Sequence, residues 1–187
     1  GWHSVLAPEG GQKQISEHQG GEDVVFDEHG NRIGGGRLYA VVTIYPGMQG
    51  RNYRLPCEMD YHAVWKAKSR IDSILAQWTQ GDKKIICPIP DEPMPEERKK
   101  GSSGFRVLLY GLKRFGDLFT SRQKAALVDL SNLFKLNQDY SDSLRLLLSF
   151  AFNRVAMSNM SCTRWNAVAE KMQHTFGRQA LPIVWDF

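Results

Sequence analysis

The sequence predicts an α+β fold, mainly α: a small antiparallel sheet or hairpin, then a long helix, then a C-terminal antiparallel helical bundle. Three patterns carry this. Residues 38–45 alternate with a strand period, residues from Asp60 onward repeat at helical spacing, and the last third holds three further amphipathic stretches with short joints. With 42% hydrophobic and 24% charged residues, the 187-residue chain has the apolar content of a core-forming domain. No run reaches the roughly 18–20 apolar residues that span a bilayer.

Residues 1–56 read as a polar, Gly-rich opening followed by the small sheet. Val24-Val25-Phe26 and Arg32-Ile33 flank a turn in which the Gly30-Asn31 step supplies positive φ. After Gly34-Gly35-Gly36, the best strand puts Leu38, Ala40, Val42 and Ile44 on one face and Tyr39, Val41, Thr43 and Tyr45 on the other. Pro46-Gly47 ends it, and residues 52–55 make one more short strand, stopped by Pro56. Residues 57–87 form the long helix, with Val64, Ala67, Ile71, Ile74, Leu75 and Trp78 on one stripe and Gly81 placed to end it. Residues 88–104 pack four prolines, mixed charge and Gly/Ser into an expected exposed connection.

Residues 105–187 are expected to form the basic bundle. Thr120-Ser121-Arg122-Gln123 fits a capping box, followed by a face of Ala126, Leu127, Leu130, Leu133 and Phe134. A second helix starts near Ser141 with Leu144, Leu147, Leu148, Ala151, Phe152 and Val155 inward. A third starts near Thr163 with Trp165, Val168, Ala169 and Met172, and stops at Gly177.

Charge is uneven. Residues 1–100 carry 13 Lys/Arg against 14 Asp/Glu, whereas residues 101–187 carry 11 against 6, so a polyanionic partner is expected on the C-terminal half. Cys57, Cys87 and Cys162 are odd in number and far apart, which suits buried thiols in a reducing cytoplasm and not a disulfide framework. Cys57 with His62 falls short of the three or four ligands of a metal site, so none is expected. The Gly triplet precedes a strand, where a phosphate loop would follow one, and reads as a hairpin turn or joint. Glu58 and Asp60 suit the N-terminus of the long helix better than a catalytic pair.

Two basic clusters suit a phosphate backbone: Arg98-Lys99-Lys100 in the connection, and Lys113-Arg114 with Arg122. Around the second, Tyr110, Phe115 and Phe119 either stack on bases or staple the chain onto the next helix. The N-terminal Gly1-Trp2-His3-Ser4 has no initiator Met and no secretory pattern, and the chain stops on Trp185-Asp186-Phe187, so it is expected to be a piece of a larger protein.

Three blocks together resemble the large bacterial and archaeal adenine-specific DNA modification methylases that carry a conserved N-terminal domain of unknown function. They are Tyr53-Arg54-Leu55-Pro56 with Asp60; Tyr110-Gly111 through Gly116-Asp117-Leu118-Phe119-Thr120-Ser121-Arg122-Gln123; and residues 176–182 with Trp185-Asp186-Phe187. The resemblance covers roughly residues 38–187 and implies a parent enzyme that moves a methyl group from S-adenosylmethionine to the exocyclic amine of adenine. The family's Gly-rich cofactor motif and its Asp-Pro-Pro-Tyr motif have no match here, so no catalytic or cofactor residue is carried over. The expectation is a middle segment, inactive alone, that contacts DNA through Arg98, Lys99, Lys100, Lys113, Arg114 and Arg122. Its other partners would be the remainder of the methyltransferase and a protein of a restriction-modification or phage-defence cluster. The alternative is a non-enzymatic helical protein-interaction domain; no convergent nucleophile, base and oxyanion donors favour a small-molecule enzyme.

Overall fold

The computed structural model describes residues 23–81, 86–95, 112–136, 139–166 and 168–173. Its architecture is mainly-α α+β: among the described residues, three α-helices of about four to six turns and three separate two-stranded antiparallel ladders.

The first ladder pairs β1 (Val24–Phe26) with β2 (Arg32–Gly35). Asp27 stitches its turn: Oδ1 accepts the His29 and Asn31 N–H groups at 2.9 and 2.8 Å, and Gly30 takes the expected positive φ. Hydrogen bonds from Asn31 hold the Asp27 carboxyl below its ordinary pKa. Gly35 ends β2 at φ +65°, and a Cβ there would lie 2.1 Å from the Asp23 carbonyl oxygen, so the triplet closes a hairpin.

The second ladder pairs β3 (Val41–Thr43) with β4 (Asn52–Arg54). The strand expected over residues 38–45 is thus three residues long. Leu38 leaves the ladder because its N–H donates to the Tyr61 hydroxyl at 3.2 Å. Both faces are only partly covered: Val42, Ile44, Tyr39 and Tyr45 are exposed, while Leu38, Val41 and Thr43 are half-buried. A two-stranded ribbon without a full layer against it has no clear inside, so alternation alone did not create one.

α1 (Glu58–Gln80) stops at Gly81 as expected, so its last residue lies seven before 87, the expected limit of the segment. Val64 and Ile71 are its buried residues. Its first turn is closed by Asp60, which accepts the Cys57 N–H at 2.8 Å and grips the Arg54 guanidinium through two 2.7 Å hydrogen bonds. The Arg54 guanidinium holds the Asp60 carboxyl well below the usual carboxylate range. Of the two acidic residues at this helix start, Asp60 therefore does cap it.

Of the expected exposed connection over 88–104, residues 88–95 are described, and six of these eight are exposed. Ile89 and Met94 are buried. The Gly116, Phe115 and Met94 N–H groups donate to the carbonyls of Pro90, Glu92 and Lys113 at 2.9, 3.1 and 2.8 Å. Proline barred a helix and a regular strand, but the carbonyls between prolines still accept. Gly116 is required at this crossing, since a Cβ would meet the Pro90 oxygen at 2.6 Å.

α2 (Ser121–Leu136) follows a 3₁₀ turn, Phe115–Leu118. Its buried residues are Ser121 and Val128, with Ala125 packed beside Ile71, Ile89, Ile74, Leu75 and Cys87. The expected face is displaced, leaving Leu133 63% exposed. A second core joins Met94, Leu112, Leu118, Met160 and Cys162, with Phe119 against it. Phe119 and Leu118 thus staple the chain. None of the three cysteines forms a disulfide, but only Cys162 is buried and Cys57 is exposed.

α3 (Asp142–Ser158) begins at Ser141, whose hydroxyl accepts the Leu144 N–H at 3.3 Å. Its expected inward residues are not buried: Leu147 is 64% exposed and Leu144, Ala151 and Val155 also face solvent, while Leu148 and Phe152 are half-buried. Phe152 meets Phe134 of α2 edge-on, centroids 6.2 Å apart. The third helix of the bundle is not formed. Instead β5 (Arg164–Asn166) pairs with β6 (Lys171–Gln173). The Asn166 side chain accepts the Val168 and Ala169 N–H groups at 3.0 and 2.9 Å, a local turn that competes with helix for those donors. Val168, expected inward, is 98% exposed. Gly177 lies outside the described residues.

Leu118→Ala is expected to lower stability by about 2–5 kcal/mol and Leu133→Ala by no more than about 0.5 kcal/mol in urea unfolding. Asp60 binds a proton less readily folded than unfolded, so its contribution is fully present above the ordinary carboxylate value near 3.8 and fades as pH falls below it. The stability gap between the parent chain and Asp60→Asn should accordingly be flat at neutral pH and shrink in acid.

Candidate functional site

A cleft of about 460 Å³ lies where the first ladder, α1 and the start of α2 meet. Val24 and Val64, both buried, line it together with Asp23, residues 36–40, and Thr120, Arg122, Gln123 and Ala126 of α2. Asn159, just past α3, completes the lining.

Each wall is held by identifiable bonds. The Gly36 N–H donates to the Asp23 carbonyl at 2.8 Å, and the Arg32 guanidinium donates to the Gly36 and Gly35 carbonyls at 2.9 and 3.1 Å. Tyr61 holds the next residue through the Leu38 N–H. At the start of α2, Gln123 Oε1 accepts the Thr120 N–H at 2.9 Å, which is the reach-back half of the expected capping box. The remaining cap comes from far away: Asp23 Oδ2 accepts the Ser121 N–H at 3.0 Å and also the buried Ser121 hydroxyl. Asp23 Oδ1 accepts the Val24 N–H at 3.1 Å.

The lining carries two arginines against one aspartate, and that aspartate accepts three donors, two of them at the positive end of α2. Neither Arg37 nor Arg122 has a carboxylate partner among the described residues. The Arg37 guanidinium sits over the Tyr39 ring, 5.9 Å from its centroid.

The six basic residues expected to touch DNA are thus divided. Arg98, Lys99 and Lys100 lie outside the described residues. Lys113 and Arg114 are exposed beside the 3₁₀ turn, where both backbone N–H groups donate to Asp117 at 2.9 Å, and they do not line the cleft. Arg122 does. Arg37 was missed by sequence reasoning; an arginine directly after a Gly triplet and two residues before a tyrosine was the available signal. A second groove, about 340 Å³, lies between α2 and α3 and carries Lys135 and Arg145 with Phe134, Tyr140 and Phe152.

Among the described residues, no group of three or more His, Cys, Asp or Glu is arranged to hold a metal ion. They also do not fit S-adenosylmethionine. All three ladders are antiparallel, and the one described turn from a strand into a helix, Leu55-Pro56-Cys57 between β4 and α1, contains no glycine. No helix among the described residues is long and apolar enough to cross a membrane. No family model, curated protein or solved structure matches the chain.

Asp23→Ala should cost about 1–3 kcal/mol in chemical unfolding, because it leaves both the Ser121 N–H and its buried hydroxyl without their acceptor.

Proposed function

We propose that the chain is a DNA-contacting segment of an S-adenosylmethionine-dependent, adenine-specific DNA methyltransferase, cytoplasmic and without methyl-transfer activity of its own. The observation that carries the DNA contact is the pair of arginines lining one held cleft, neither ion-paired to a carboxylate among the described residues. The charge excess of residues 101–187 supports the same partner class, and the three sequence blocks support the parent enzyme.

Within this reading Arg122 and Arg37 meet phosphate in the cleft, and Lys113 and Arg114 supply contacts beside the 3₁₀ turn. Arg98, Lys99 and Lys100 extend the basic set along the chain. The methyl donor and the catalytic motif belong to the remainder of the parent methyltransferase, and a protein of the same defence cluster is a further candidate partner. The second reading, a helical protein-interaction domain, draws on α3, where Leu146, Leu147 and Phe150 are 57–64% exposed.

Fluorescence anisotropy of a labelled duplex against the full 187-residue chain separates the two. The DNA reading expects binding that weakens steeply between about 50 and 200 mM salt, with a slope reduced by about 1 for each phosphate-contacting residue removed. Binding that is absent or independent of salt overturns it. Methyl transfer from labelled S-adenosylmethionine by this chain alone would overturn its passive role in the chemistry. The protein-interaction reading expects charge reversal at Lys113 and Arg114 to leave function intact, and polar substitution of Leu147 or Phe150 to abolish it.

A further inference from the structure

We infer that the cleft between residues 36–40 and the start of α2 receives one nucleotide of a single DNA strand, its base against the Tyr39–Arg37 pair and its phosphate bound by Arg37 and Arg122. The inference rests on the nucleic-acid reading and specifies what that site takes.

Size comes first. About 460 Å³ falls within the roughly 300–1,000 Å³ of small-ligand sites and admits one nucleotide, whereas a duplex can only lie across the mouth. Chemistry comes second. Two guanidiniums without carboxylate partners among the described residues supply forked donors suited to a phosphate. Tyr39 is 38% exposed, and the Arg37 guanidinium carbon 5.9 Å from its ring centroid places positive charge beside an aromatic ring of the kind on which bases stack. Buried Val24 and Val64 provide an apolar lining for the face of a base and not for a free inorganic anion.

Preorganisation comes third. The segment bearing Arg37 and Tyr39 is fastened through Gly36 to Asp23 and Arg32, and through Leu38 to Tyr61, so little order remains to be imposed on binding. The Asp23 carboxylate would repel a phosphate if it were free. It is turned to Val24 and Ser121 and sits on the positive end of α2, which leaves the arginines to set the sign of the cleft.

The test compares the full chain with Arg37→Ala, Arg122→Ala, Tyr39→Ala and Tyr39→Phe in anisotropy titrations of one labelled single-stranded oligodeoxynucleotide and its duplex. Thermal unfolding followed by circular dichroism confirms that each variant folds. On single strands, each arginine substitution should reduce the salt slope by about 0.7 and weaken binding. Tyr39→Ala should weaken binding roughly 5- to 100-fold, and Tyr39→Phe should bind as the parent does. Folded variants that all bind the single strand like the parent overturn the inference, as does Tyr39→Phe losing as much as Tyr39→Ala. If the parent binds duplex and the cleft variants change nothing, the cleft assignment fails and the DNA reading stands. If the parent ignores duplex but binds single strands through Tyr39, the cleft assignment stands and the duplex contact fails.

Discussion

The contact between Asp23 and Ser121 joins residues 98 positions apart, and several other features depend on it. One carboxylate starts the first ladder by accepting the Val24 N–H, and it caps α2 by accepting the Ser121 N–H and hydroxyl. Ser121 is 4% exposed, so its polar groups have no water to turn to. A helix terminus buried in this way needs an acceptor, and none of its own neighbours takes these two donors. The hairpin is therefore held against α2 by the same bonds that let α2 begin, and the cleft is the space left where the two meet.

The block that runs from Gly116 to Gln123 shows how much of a distinctive sequence pattern can be devoted to folding. Gly116 lets Pro90 approach, and Asp117 gathers the N–H groups of Lys113 and Arg114. Leu118 fills the second core while its carbonyl accepts the Ser161 N–H and hydroxyl at 2.9 and 2.7 Å. Phe119 packs on that core, Ser121 meets Asp23, and Gln123 closes the first turn on Thr120. Arg122 alone in this run has an exposed side chain on the cleft and no structural duty described for it. The same holds for Arg54 and Asp60 in the first block, whose paired hydrogen bonds fasten β4 to the start of α1. Residues that stand out as a motif are here mostly those that position one residue that does not.

The electrostatics of the cleft follow from that arrangement. A lysine or arginine beside a carboxylate offers a ligand little net field, and both Arg54 and Arg70 are spent in that way on Asp60 and Asp129. Arg37 is steadied by a tyrosine ring, which orients a cation without cancelling its charge. Together with an aspartate that is already satisfied, this gives the cleft a positive balance from few residues.

Local signals in the chain were sufficient for several features. The turn at Asp27 to Asn31, the stop at Gly81, the Ser141 start of α3 and the Gln123 half of the α2 cap each involve residues within four positions of one another, where side chain and backbone meet whatever the remainder does. The mainly-α balance followed from periodicity over long stretches, which is likewise local. What failed was inward and outward. Leu147 and Val155 have helical spacing but no described layer to pack on, and Val168 lost its helix to the Asn166 side chain. Ile89 and Met94 reach the cores because the Pro90 and Glu92 carbonyls accept the Gly116 and Phe115 N–H groups, and the Met94 N–H donates to the Lys113 carbonyl. Sequence alone determined the turn at Asp27 to Asn31, the stop of α1 and the start of α3, since those choices are made by neighbours along the chain. Only the tertiary structure decided which faces are buried and that Arg37 shares a cleft with Arg122, because burial and that cleft are set by contacts between segments up to 98 residues apart.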